Sequence, residues 1–194
     1  MAHLKVKNLI KFGLIGLAAI MFTAGGWVAL LRFTGNIHEI NGSLVLRSAQ
    51  LAPEQLAELV QTYQIKTVLN LRGEHKEEKW YRAELAVSEK RGVTHENLAL
   101  SATHEPDDAT LKQLIQTMKS AQTPLLIHCE AGADRSGLAA ALYRLAIMGD
   151  APDTAFRQLS FRYGHFPWLW SRTGAMDKAF WRVVAAPEAF ASTP

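Results

Sequence analysis

Ten consecutive residues constrain this chain more than any others: His128-Cys129-Glu130-Ala131-Gly132-Ala133-Asp134-Arg135-Ser136-Gly137, directly behind the apolar run Leu125-Leu126-Ile127. Three aliphatic residues after Thr123-Pro124 read as a short central strand, and the Ala- and Leu-rich run from Arg135 to Met148 reads as a helix. The chain must therefore pass from a buried strand to a helix within the five residues between Cys129 and Arg135. In such a turn successive N–H groups point inward and form a nest for an anion. The N-terminal end of the following helix adds its partial positive charge at the same spot.

Each residue type in the motif suits that chemistry. Gly132 lets the loop turn without a side-chain clash. Arg135 stands where its guanidinium fork grips two oxygens of a phosphate. Cys129, at the base of the cradle, is an in-line nucleophile in surroundings that favour a thiolate. Thiolate attack on phosphorus gives a phosphocysteine, which water then hydrolyses. Ser136 is read as stabilising the leaving thiolate, and His128 as orienting the loop by hydrogen bonding. Because Cys129 is the sole cysteine, no internal disulfide competes for it.

The remainder reads as alternating strands and helices. Ile37 to Leu46 is a hairpin around Asn41-Gly42. Pro53 to Tyr63, Glu77 to Lys90, Ala109 to Ala121, Pro152 to Tyr163 and Thr173 to Ala185 carry helical spacing or start and stop signals. Thr67 to Leu71 and Val93 to Leu100 read as further strands. With 194 residues there is room for one compact domain of the α/β class, a central, partly parallel sheet flanked by helices.

The N-terminal region reads differently. Phe12 to Leu31 contains no charged residue, and twenty residues of helix span about 30 Å, the thickness of a hydrocarbon core. Lys5, Lys7 and Lys11 precede the run, which by the positive-inside bias keeps the N-terminus cytoplasmic. The expectation is a membrane anchor over residues 1–32, inserted through residues 12–31. The body, 33–194, then lies on the opposite, periplasmic or extracytoplasmic side. A cleaved signal peptide is the alternative, with Ala24 and Gly26 as small residues at cleavage spacing. The same lysines and Arg32 account for the basic pI of 9.1, since the rest of the chain holds 17 basic against 18 acidic residues. A nucleic-acid partner is therefore not expected.

His-Cys-x₅-Arg-Ser resembles the signature of the cysteine-dependent protein tyrosine and dual-specificity phosphatases. Arg47-Ser48-Ala49-Gln50 after the hairpin and Asn70-Leu71-Arg72-Gly73-Glu74 after a strand extend the resemblance to the small bacterial dual-specificity-like branch, over roughly residues 37 to 165. The resemblance implies a phosphate monoesterase with no metal or cofactor. Cys129 is then the nucleophile and Arg135 the clamp, and Glu130, Ala131, Gly132, Ala133, Asp134 and Arg135 bind the phosphate through their amides. In the family the leaving oxygen is protonated by an Asp on the loop before the preceding helix. Here that loop is Thr103 to Asp108, and Asp107 is favoured, with Asp108 and Glu105 in reserve. Asp107 and Asp108 also open a helix, so an N-cap is the competing role.

Five loop residues with two acids and no lysine argue against a polyphosphate substrate. The expected partner is a phosphoprotein, or a singly phosphorylated lipid or envelope substrate. Asp134 is read as turned outward or bonded to loop amides, Arg72 and Glu74 as a structural ion pair, and His165, Trp168 and Trp170 as packing or membrane-facing. A catalytically silent phosphate-binding module and a sulfurtransferase-like thiol enzyme are the alternative functions.

Overall fold

The computed structural model describes residues 12, 13, 16, 22–168 and 171–190. A helix over 22–33 (α1) leads into a hairpin of His38–Asn41 (β1) and Val45–Ser48 (β2). Then follow Pro53–Tyr63 (α2), Thr67–Asn70 (β3), Lys79–Arg91 (α3), Thr94–Asn97 (β4), Asp108–Ser120 (α4) and Leu125–His128 (β5). The last described elements are Arg135–Leu142 (α5), Pro152–Phe156 (α6), Gly174–Ala185 (α7) and Pro187–Phe190 (α8).

The five strands form one sheet in the order β1-β2-β5-β3-β4. Only the β1–β2 pair is antiparallel; β5 lies parallel between β2 and β3. Period-two alternation divides the buried side chains between the two faces. Val45, Leu69, Leu125 and Ile127 pack with Leu111, Leu114 and Ile115 of α4, Leu138 of α5 and Phe180 of α7. Leu46, Val68 and Leu126 face the other way, onto Leu56, Leu59 and Val60 of α2. A sheet covered on both faces needs strands apolar throughout, as Leu125-Leu126-Ile127 is.

Two sequence-based expectations are corrected by the coordinates. Among the described residues no helix is long and apolar enough to cross a membrane. Residues 14, 15 and 17–21 of the expected span lie outside the described residues. The helix described over 22–33 overlaps that span. Thr23, Gly25 and Gly26 dilute its apolar character, and its end is committed to the domain. Leu31 is buried, and Trp27 Nε1 donates to Phe161 O at 3.3 Å. The membrane segment through residues 12–31 and the single-pass localisation drawn from it are overturned.

The second correction concerns Pro152 to Tyr163, which is two pieces, α6 and a 3₁₀ turn at Phe161–Tyr163, separated by an extended Ser160. The break delivers both oxygens of Gln158 to Arg47. Similarly, the helix from Arg135 widens to π geometry over Tyr143–Ile147.

The central strand should dominate stability. Leu126→Ala removes a side chain 1% exposed and is expected to cost about 2–5 kcal/mol, read as a lower urea midpoint; a midpoint like that of the parent would contradict this packing.

Candidate active site

β5 ends at His128, in register with Ser48 of β2 and Asn70 of β3. Cys129 thus leaves the sheet at the carboxyl ends of three parallel strands, where open α/β sheets form their ligand crevice. From here to Arg135 the backbone faces are sorted by partners behind the loop. Glu130 O accepts from Gln50 N at 3.1 Å and Ala131 O from Asn36 Nδ2 at 3.0 Å. Arg47 Nη2 donates to Gly132 O and Ala133 O at 2.9 and 3.0 Å, while its Nη1 donates to Gln158 O and Oε1. Four successive carbonyls are therefore tied outward. Among the described residues, the main-chain N–H groups of 130–135 donate to no protein acceptor.

Gly132 is what permits this curl. Its φ is +70°, and a Cβ there would lie 2.6 Å from Ala49 N and 2.9 Å from Asn36 Nδ2. Close approach and a left-handed conformation together exclude a side chain.

Of the sequence-predicted chemical groups, Cys129 and Ser136 lie side by side. Cys129 Sγ lies 3.4 Å from Ser136 Oγ. Arg135 donates through Nη1 to Leu100 O at 3.3 Å, and its Nη2 lies 3.8 Å from Glu130 Oε2. Its Nε is buried without a partner, a donor left for a ligand oxygen. Glu130 is at the rim, its side chain 60% exposed. By contrast, an apolar cleft of about 420 Å³ lined by Ile115, Leu145, Val183 and Phe190 shares no residue with the loop.

Two carboxylate–histidine clusters brace the loop, and neither was legible in advance. Glu84 of α3, 4% exposed, accepts from His128 Nε2 at 3.0 Å, from His95 Nε2 at 2.7 Å and from Gln50 Nε2. Burial alone would raise its pKa; hydrogen bonds from His128 and His95 outweigh that and hold it below the usual carboxylate range. The second cluster joins Asp134 Oδ1 to His165 Nδ1 at 2.7 Å and His165 Nε2 to Asp177 Oδ1 at 2.9 Å. Asp134 is thus bonded to a side chain, not to loop amides, and His165 is no mere packing residue. Arg72 does not pair with Glu74, which binds Lys76; it donates to Gln50 Oε1 and stacks over Trp80 at 3.6 Å.

The loop expected to carry an acid is pinned. Asp107 Oδ1 caps α4, accepting from Thr110 N at 2.8 Å, and this bond lowers the Asp107 pKa. Arg182 of α7 pairs with Glu105 at 3.0 Å and with Asp108 at 3.2 Å, and also donates to Pro106 O. Trp168 is exposed and Trp181 packs against Phe156 and Phe180, while Trp170 lies outside the described residues.

Comparison with known proteins bears on this geometry. The family model described as "Swiss Army Knife protein, DSP-PTPase phosphatase domain" (PTP-SAK) matches residues 39–176. No curated protein matches the chain. Among solved structures, P. aeruginosa TpbA has a TM-score of 0.65 at 23% identity, covering 82% of this chain and 92% of that one. A second TpbA structure contains pTyr. PTPMT1 in complex with PI(5)P has a TM-score of 0.57 at 20% identity, covering 78% and 98%. The catalytic core of the S. cerevisiae PP-IP phosphatase SIW14, with citrate, has a TM-score of 0.56 at 17% identity, covering 79% and 93%. At these identities the likeness is one of fold.

The Glu84 brace has a pH signature. A carboxylate whose folded pKa is depressed adds stability that is present above its unfolded value and lost as pH falls through the folded one. The urea midpoint of the parent should therefore drop below about pH 4.5, the ordinary value for this group. Glu84→Gln should flatten that drop; equal slopes in the two proteins would contradict it.

Proposed function

The chain belongs to the PTP-SAK family of DSP-PTPase phosphatase domains, and from that premise we propose that residues 33–194 hydrolyse phosphate monoesters through a phosphocysteine on Cys129. The carrying observation is the set of unpartnered N–H groups at 130–135, the residues that directly follow Cys129, together with the unpartnered Nε of Arg135. Unsatisfied donors in such number match the non-bridging oxygens of a phosphate.

The reaction follows from this arrangement. Amides of Glu130 to Arg135 and the Arg135 guanidinium bind the phosphoryl oxygens and hold phosphorus in line with Cys129 Sγ. The thiolate forms the S–P bond as the bond to the leaving oxygen breaks, and that oxygen takes a proton from the 103–108 loop. Water then attacks phosphorus, passing a proton to the carboxylate that the first step left ionised on the 103–108 loop, and the S–P bond breaks. Ser136 Oγ, 3.4 Å from the sulfur, donates to the departing thiolate. Asp107 is the proposed acid, with Asp108 and Glu105 in reserve. In the resting chain all three are engaged as cap or Arg182 partners, so acid catalysis requires the loop to release one of them when substrate binds.

We further propose a singly phosphorylated substrate, a protein side chain or a lipid. Glu130 puts a negative charge on the rim, which repels a second phosphate. That TpbA is solved with pTyr and PTPMT1 with PI(5)P supports both classes.

The test is phosphate release by the full chain from aryl and alkyl phosphates. Cys129→Ser should reduce release to background. Asp107→Asn, which still caps a helix, should slow alkyl phosphate hydrolysis about 10²-fold and aryl phosphate much less. Turnover that survives Cys129→Ser would end the phosphocysteine reading. An unchanged Asp107→Asn would move the acid to Asp108 or Glu105. A folded parent that binds phosphate without turnover would be the silent binding module.

A further inference from the structure

An anion cradle containing Asp134 is at odds with itself, because a carboxylate beside bound phosphate repels it. The coordinates show how the conflict is met. The His165 ring, 1% exposed in its side chain, lies between Asp134 of the loop and Asp177 of α7. Both ring nitrogens face carboxylate oxygens, at 2.7 and 2.9 Å. An ionised carboxylate only accepts, and a neutral imidazole has one N–H. With both carboxylates ionised, two such contacts at once require both nitrogens to carry hydrogen.

We infer that His165 is a positioning residue for the phosphatase reaction: as an imidazolium it turns the Asp134 carboxylate away from the cradle and cancels its charge, and so sets the affinity for the phosphate dianion. Among the described residues its side chain makes no hydrogen bond to Cys129 or Arg135, and it acts through Asp134. The inference rests on the reading of 130–135 as the phosphate cradle. The groups facing the ring are Asp134 and Asp177; Arg47 interacts electrostatically with Asp134, and Arg135 follows it in the chain. Burial opposes a charge on His165, but hydrogen bonds to Asp134 and Asp177 raise its pKa to about 9. The bridge is thus complete at neutral pH and is lost as pH rises through that value.

The neighbourhood explains why a histidine serves here. Tyr163 is packed under Arg47, and Gly164, at φ +84°, turns the chain so that His165 enters beneath the loop. Asp177 lies in the first turn of α7, where a carboxylate is favoured by the helix N-terminus. The bridge also joins the catalytic loop to the helix whose Arg182 holds the 105–108 segment.

The experiment measures inhibition by inorganic phosphate, with kcat and KM for an aryl phosphate, in the full chain. His165→Asn should weaken phosphate binding and raise KM about tenfold or more, with a smaller change in kcat. Adding Asp134→Asn to that variant should restore affinity to within about threefold of the parent, because the charge that needed cancelling is gone. A residue that merely fills space would not be rescued this way. An unchanged His165→Asn, or a loss that Asp134→Asn fails to rescue, would overturn the inference. Should His165→Asn not fold, imidazole ¹⁵N shifts of the parent decide. Both nitrogens protonated at pH 7.5, titrating near pH 9, support the bridge, and a neutral ring at pH 7.5 overturns it. An active parent with a neutral His165 fails this inference alone, whereas a parent that binds no phosphate fails the cradle reading as well.

Discussion

Four carbonyl oxygens in a row point out of the 130–135 loop only because donors wait behind them, and the strongest of these is the guanidinium of Arg47. It is wholly buried in β2 and serves Gly132, Ala133 and both oxygens of Gln158. Tyr163 lies against it, with 4.3 Å from guanidinium carbon to ring centroid. Burying a charge costs several kcal/mol unless hydrogen bonds replace its water, and burial lowers the Arg47 pKa to about 10. That cost is accepted because a peptide unit fixes both its poles at once. With the carbonyls anchored outward, the N–H groups must face the opposite side, where the proposed phosphate cradle lies. Gly132 supplies the one left-handed residue that this geometry demands.

The site is thus shaped by layers behind it rather than by its own five residues. Asn36 and Arg47 fix the carbonyl side, with Gln158 holding Arg47 in turn, while Glu84 fixes His128 at the end of β5. His165 fixes Asp134. These residues come from a pre-hairpin turn, a strand, a helix and two late segments. The interrupted helix after α6 belongs to the same design, because a continuous helix would have kept the Gln158 carbonyl for its own ladder. The fold spends regular structure at that point to hold the loop.

How far the sequence predicts all this depends on the range of each interaction. The strand at Leu125, the turn at Gly132 and the helix from Arg135 were legible because they obey local rules, and the alternating body gave the layered α/β class. Cys129 and Ser136, 3.4 Å apart, were placed together by spacing alone. Arg47, Glu84 and His165 were not, because their partners lie 85, 44 and 31 residues away in the chain. Polar residues in otherwise apolar or mixed segments were the available signal, and no periodicity reports their partners. The span at 12–31 failed for a related reason. Hydropathy scores a residue's preference for apolar surroundings, and Leu31 met that preference against the domain itself.

The most direct measurement follows the backbone amides of residues 130–135 by ¹H–¹⁵N correlation while Cys129→Ser protein is titrated with inorganic phosphate. The account predicts that these six amides move together, saturably and downfield, as each gains an acceptor. Amides of 130–135 that stay still while phosphate binds elsewhere, or that do not respond at all, would contradict it.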